Sequence, residues 1–202
     1  MKYTAEKWKS RIRNRSDISS YLSHLTKGTE NNSAVEILLK ILTEKRINGS
    51  SFSGYIAGKH NATCFQDVPI YSLCQNTFHE QIFREELGGK VRYTPVGLAF
   101  SKRYVYLKGG RPVIYEKLDI ARQFISENEL WRVVSFDLSN EDNIVDWTHE
   151  REWRVKGDFE FELKDAYVLL TKDSSYHSFV EKAGSEIIAG IGGIIVLDPV
   201  LT

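Results

Sequence analysis

The densest chemistry in the sequence lies in Asp146-Trp147-Thr148-His149-Glu150-Arg151-Glu152-Trp153-Arg154-Val155. Read as a strand over 150–155, it places Glu150, Glu152 and Arg154 on one face and Arg151, Trp153 and Val155 on the other, since strand side chains alternate. Carboxylates so close repel each other, and burying them demands a partner for each. One reading is a solvated strand on which Arg154 offsets the acids, as charge runs usually are. The other is a pair of acids facing a substrate. A second cluster, Tyr21-Leu22-Ser23-His24-Leu25-Thr26-Lys27-Gly28, brings a histidine, hydroxyls and a turn glycine to the end of an apolar run. Short polar side chains and backbone N–H groups near Ser23, His24 and Thr26 suit a ribose or a phosphate. A lone histidine is more often a satisfied structural residue than a catalytic one. In a third cluster, Arg92 through Lys102, the apolar half reads as core, and Tyr93 is either a ligand-facing ring or a packed aromatic with a hydrogen-bonded hydroxyl. Lys7, Lys9, Arg11, Arg13 and Arg15 form a strong basic run with Trp8 inside it. It reads as a solvated helix face, as a phosphate grip or as a contact for a partner protein, and in the second case Lys9, Arg11, Arg13 and Arg154 are the candidate contacts.

Missing motifs narrow the chemistry. No Gly-x-Gly-x-x-Gly marks a Rossmann dinucleotide site, and no Gly-Lys-Ser/Thr loop marks a triphosphate site. His149-Glu150 lacks the second histidine of a zincin helix, and Gly-x-Ser-x-Gly does not occur.

The elements that must carry these residues follow from periodicity. Residues 4–15 read as a helix and 18–25 as a first strand. Ser33 followed by Glu36 is a capping-box pattern, and Val35, Leu38, Leu39 and Leu42 recur at helical spacing, which predicts a helix over 33–46. Residues 50–61, rich in Ser and Gly, read as an exposed loop placed to act as a lid or target contact. A strand at 62–65, a helix at 70–87, a strand at 92–100, a short helix at 101–108, a strand at 112–116 and a helix at 117–127 follow. Strands at 131–137, 150–155, 159–163 and 166–171, a helix at 175–189 and a strand at 193–197 complete the chain. Strands and helices that do not alternate strictly predict an α+β fold.

At 202 residues, with 42% hydrophobic and 12% aromatic content, the chain has material for one full core, and no repeat or linker divides it. We therefore expect a single domain over 1–202, with 1–16 as an N-terminal helical extension. The 27 basic and 27 acidic residues cancel, so a polyanion would have to be met by a local patch. Cys64 and Cys74 are the only cysteines, too few for a disulfide scaffold or a four-cysteine zinc site. The opening residues lack the apolar core of a signal peptide and no run approaches a membrane span, which predicts a cytoplasmic protein with no membrane partner.

Ser23-His24-Leu25-Thr26, then Thr63-Cys64-Phe65-Gln66-Asp67-Val68-Pro69-Ile70, then Tyr93 through Lys102 with Gly110-Arg111-Pro112-Val113-Ile114-Tyr115, resemble the AbiGi-type abortive-infection proteins of bacteria over about residues 20–155. The layout is also similar to ADP-ribosyltransferases more broadly, including the DNA-modifying DarT toxins. The resemblance implies a split β-sheet core with flanking helices, NAD⁺ as substrate and no metal. It implies a nucleic acid acceptor, RNA ahead of single-stranded DNA, in an anti-phage toxin restrained by an antitoxin protein. Carried over by position, His24, Thr26 and Ser23 would hold the NAD⁺ ribose and Tyr93 would face the nicotinamide. Glu152 would be the catalytic acid and Glu150 the substrate-facing residue before it. The chemistry is coherent. Nicotinamide leaves readily, so transfer passes through a ribosyl cation. A carboxylate accepting from the ribose 2′-OH tightens its hold as positive charge develops.

Two alternatives stay open. An antitoxin role is attached to the same resemblance, so the chain could be a catalytically inactive binding module, although the pair His24 and Glu152 argues against lost catalysis. A metal-dependent nuclease would use Asp146, Glu152 and Lys156, but such enzymes place an acid and a lysine two apart on one strand, and here the lysine follows Glu152 by four.

Overall fold

In a computed structural model that describes residues 2–51, 56–83, 85 and 94–201, the chain runs through α1 (Ala5–Arg13), β1 (Tyr21–Leu25), α2 (Ala34–Glu44), β2 (Arg46–Ile47), β3 (Ala62–Gln66) and α3 (Ile70–Ile82). β4 (Gly97–Ser101), α4 (Lys102–Leu107), β5 (Arg111–Pro112), β6 (Ile114–Tyr115), α5 (Leu118–Ala121) and β7 (Val133–Val134) follow. The chain ends through β8 (Glu152–Lys156), β9 (Phe159–Glu160), β10 (Tyr167–Leu170), α6 (Asp173–Lys182), α7 (Ser185–Gly190), β11 (Gly193–Val196) and α8 (Asp198–Leu201). The fold is mixed α/β. It forms two compact units interleaved along the sequence: Met1–Lys45, Val68–Lys102 and Phe161–Thr202 make the first, Arg46–Asp67 and Arg103–Glu160 the second.

In the first unit β11 lies parallel to β10, β10 antiparallel to β4, and β4 antiparallel to β1. Alternation splits the residues between two faces. Leu25, Ala99, Tyr167 and Leu169 pack with Val68, Leu73, Cys74 and Leu197. Leu22, Leu98, Phe100 and Val168, all fully buried, take the other face, where Phe161 meets Phe100 edge-on at 5.0 Å. β1 and β4 close tightly at Gly97, where a Cβ would lie 2.1 Å from the His24 carbonyl oxygen, so only glycine fits. α2 starts on the expected capping box: the Glu36 N–H donates to Ser33 Oγ at 3.3 Å, and the Ser33 N–H donates to the Glu36 carboxylate at 2.8 Å.

The second unit holds an antiparallel sheet in the order β3-β8-β5, a β2–β9 pair and a parallel β6–β7 pair. The Thr63 hydroxyl donates to the Gly157 carbonyl at 2.9 Å. Phe65 meets Phe159 edge-on at 5.1 Å. Ile56, Ala62 and Trp131 form one apolar cluster, with Cys64 against it, and Ala121, Leu130 and Val133 form another.

Several expected elements are shorter than their patterns. Helix over 117–127 survives only as α5, followed by turns. The strand over 131–137 is a 3-10 turn at Leu130–Arg132 and then the two residues of β7. The strand over 159–163 ends at Glu160, and the helix over 175–189 is two helices, broken after α6 at Ala183-Gly184. Residues 92 and 93 of the strand over 92–100, residues 84 and 86–87 of the helix over 70–87 and residues 52–55 of the loop lie outside the described residues. At the far end of that loop Ile56 is buried, and Ser50 bridges Ala62. Among the described residues no helix is long and apolar enough to cross a membrane.

Candidate functional site

Glu152 is the first residue of β8, and its surroundings follow from strand register. Gln66 of β3 pairs with Glu152, while Cys64 of β3 and Arg111 of β5 flank Arg154. Directly paired residues share a face, so these polar side chains collect on one side of the three-stranded sheet. Glu152 is 7% exposed and Arg154 2%. The two form a forked pair: Arg154 Nε donates to Oε1 of Glu152 at 2.7 Å and Nη2 to Oε2 at 3.2 Å. Arg154 Nη1 donates to the carbonyls of Trp131 at 2.8 Å and Val133 at 3.0 Å. A planar guanidinium with five donors can bind a carboxylate and backbone oxygens at once, which a lysine cannot.

The electrostatics follow from this packing. Burial works against the charge on Arg154, but the neighbouring Glu152 carboxylate outweighs it, so the guanidinium holds its proton more tightly than usual. Burial and then the Glu152 charge push the Cys64 thiol far upward, against an opposing pull from Arg154. Cys64 is therefore held as a neutral thiol. The backbone of Glu152 is held as well: its N–H donates to the Tyr115 hydroxyl at 2.9 Å, and its carbonyl accepts from the Val113 N–H at 3.0 Å. Burial raises Tyr115 above the usual phenol range, so its oxygen stays protonated.

Glu150 lies outside the strand, although its charge still reaches Cys64 on this face. It ends a 3-10 turn, Thr148–Glu150, and Arg151 adopts the left-handed conformation with φ 46° and ψ 50°. Strand alternation therefore begins at Glu152, and the expected Glu150–Glu152–Arg154 row is reduced to Glu152 and Arg154. Asp146 starts the turn: its Oδ1 accepts from the Thr148 N–H at 2.8 Å and hydroxyl at 2.6 Å, and these bonds hold its carboxyl below the usual range. Arg154 cannot be a phosphate contact, since it is buried and its donors go to Glu152 and the two carbonyls. The solvated-strand reading fails for the same pair.

In the first unit, His24 pairs with Leu98 and Ser23 with Ala99, so Ser23 and His24 point to opposite faces of β1. Ser23 and Thr26 are buried, His24 partly so. The Thr26 N–H donates to the Val96 carbonyl at 2.8 Å. Tyr93 lies outside the described residues. Lys9, Arg11 and Arg13 are exposed on α1, a helix with no buried residue; Arg11 sits 5.3 Å over the Tyr3 ring, and Arg15 pairs with Asp17.

Sequence reasoning missed Tyr115, Gln66 and Trp131 as neighbours of Glu152 and Arg154. Their signal is cross-strand register and loop return, which no local spacing encodes. Gln66 Oε1, Trp131 Nε1 and Arg132 Nε are buried with no hydrogen-bond partner among the described residues. No group of three or more His, Cys, Asp or Glu among the described residues is placed to hold a metal ion. No family model matches the chain, and no curated protein or solved structure matches it.

Proposed function

We propose that this chain is an NAD⁺-dependent ADP-ribosyltransferase that modifies a nucleic acid acceptor, RNA ahead of single-stranded DNA, as a cytoplasmic anti-phage toxin held in check by an antitoxin. The observation that carries the reading is the Glu152 carboxylate, fixed by Arg154 at the start of a late strand, where the resemblance assigns the catalytic acid. The forked pair leaves room for chemistry. A carboxylate has about four lone-pair positions, of which Arg154 takes one on each oxygen and the Cys64 thiol engages a further one. A remaining position accepts from the ribose 2′-OH as the nicotinamide bond breaks. Arg154 then acts as a positioning residue that holds the acceptor oxygen in place before charge develops. The roles of His24, Ser23 and Thr26 toward NAD⁺ rest on the resemblance alone.

A second reading, a binding module without catalysis, is favoured by one observation: both Glu152 oxygens already have a guanidinium partner, so a structural role accounts for them. NAD⁺ labelled in its adenylate phosphate separates the two, offered to total RNA, single-stranded DNA and cell protein in turn. Glu152→Gln is the comparison, because it keeps volume and some hydrogen bonding beside Arg154. The transferase reading expects label on nucleic acid from wild type and none from the variant, assayed at a temperature where its circular dichroism shows it still folded. Absence of label and of released nicotinamide would favour the binding module.

A further inference from the structure

In a chain whose charges cancel, residues 87–115 contain six basic residues and no acidic one. Within the second unit, residues 103–111 of this run fold into a compact feature. α4 ends at Leu107, and Gly109, at φ +93°, turns the chain in a conformation that side chains other than glycine's resist. Gly110 follows under the helix, donating its N–H to the Val105 carbonyl at 2.9 Å, and a Cβ there would meet Val105 Cγ1 at 2.6 Å. The two glycines bring Arg111 back along the helix it follows. Arg111 Nη1 donates to the carbonyls of Tyr106 at 3.1 Å and Gly110 at 2.7 Å, and the guanidinium lies 4.2 Å from the Tyr106 ring centroid.

Tyr106 thus has a cation on one side of its ring while remaining 49% exposed. Lys108 lies 5.3 Å from the centroid of the Tyr104 ring, and Arg103 is exposed on α4. Among the described residues, Arg103, Lys108 and Arg111 meet no carboxylate, whereas Arg15, Arg46, Lys117, Arg132 and Lys182 each do. Unneutralised cations around an exposed, guanidinium-backed ring match the requirements of a single-stranded nucleic acid: phosphates for the cations, an unstacked base for the ring. An acidic peptide would use the cations and leave the ring without a partner.

We infer that Arg103, Tyr106, Lys108 and Arg111 form a binding surface for single-stranded nucleic acid. Tyr106 stacks a base, Arg111 fixes the ring, and Arg103 and Lys108 take flanking phosphates. The inference deepens the nucleic acid reading above and rests on it for the acceptor class, but binding needs no NAD⁺, so the two can fail separately. The test is anisotropy of a labelled uridine oligomer of about 12 nucleotides on the full chain, without NAD⁺, over a salt series. We expect saturable binding and weaker binding to a duplex of the same length. Tyr106→Ala should weaken it about tenfold or more, with Tyr106→Phe close to wild type. Arg103→Gln with Lys108→Gln should flatten the salt slope by about 0.7 per phosphate lost. No saturable binding at low salt, equal binding by Tyr106→Ala, or tighter binding of a polyglutamate peptide of matched length would each overturn the inference. Oligomer binding without label transfer would leave this surface standing and sink the transferase reading alone.

Discussion

Two carboxylate–cation pairs, one in each unit, have nearly the same contact distance: Glu152 with Arg154 at 2.7 Å and Glu36 with Lys182 at 2.8 Å. Their settings are opposite. The first pair is almost wholly buried, with side-chain exposures of 8% and 2%, and the second is open to solvent, at 40% and 44%. Distance therefore says little about consequence. In the buried pair each charge has given up water and depends on the other, with the Trp131 and Val133 carbonyls as further partners for Arg154. In the exposed pair water substitutes for either partner, and salt screens what remains. The buried pair also carries the candidate catalytic carboxylate, so stability and activity are tied together there and separable at Glu36.

The sharpest way to break the comparison is to remove one member of the buried pair. Arg154→Met leaves Glu152 buried without its cation and strips the Trp131 and Val133 carbonyls of their donor. We expect it to cost about 3–5 kcal/mol in denaturant unfolding. The double variant Glu152→Leu with Arg154→Met should recover a large part of that loss, because apolar replacement of a whole buried pair is often tolerated. If the double variant were as unstable as Arg154→Met, the carbonyl bonds rather than the ion pair would dominate. A smaller effect belongs to the exposed region: Ser33→Ala removes the N-cap of α2 and should cost about 1 kcal/mol in the same measurement.

The two regions also differed in how far the sequence revealed them. Ser33, Glu36 and the apolar spacing of Val35, Leu38 and Leu42 are local signals, and α2 formed where they placed it, within two residues at its far end. The Glu152 region was read correctly for its strand and for Glu152 and Arg154 sharing a face. Its start was misread, because a left-handed Arg151 is invisible to a period-two pattern. Burial of the pair was also missed. The charges suggested solvent, and only pairing with Cys64 and Gln66 and the return of Trp131 and Val133 close the face. The basic surface at 103–111 gives no local signal, because its charges are spread through an aromatic helix and a glycine turn, while the basic residues of the N-terminal run alternate closely along one helix. Tertiary placement, not residue type, made the difference in each case.

The smallest expected effect tests the exposed pair through pH. The hydrogen bond from Lys182, then those from Ser33, lower the Glu36 carboxyl from its ordinary 4.5 to about 2. A carboxyl depressed in the folded state stabilises it above the unfolded value and loses that contribution as pH falls through the folded one. Lys182→Met should therefore lower the thermal midpoint slightly at neutral pH, and the gap to wild type should close between 4.5 and about 2. The Asp137 carboxyl, bonded to Lys117 and Ser139, is also held near 2 and titrates in the same window. It is unchanged by the substitution, so its contribution cancels in the difference between the two proteins. High salt, about 0.5 M, should shrink the same gap at neutral pH, while leaving the loss caused by Arg154→Met nearly intact. A gap that survived both acid and salt would mean that the Lys182 stem packs against its surroundings, and that the exposed pair owes its effect to apolar contact rather than charge.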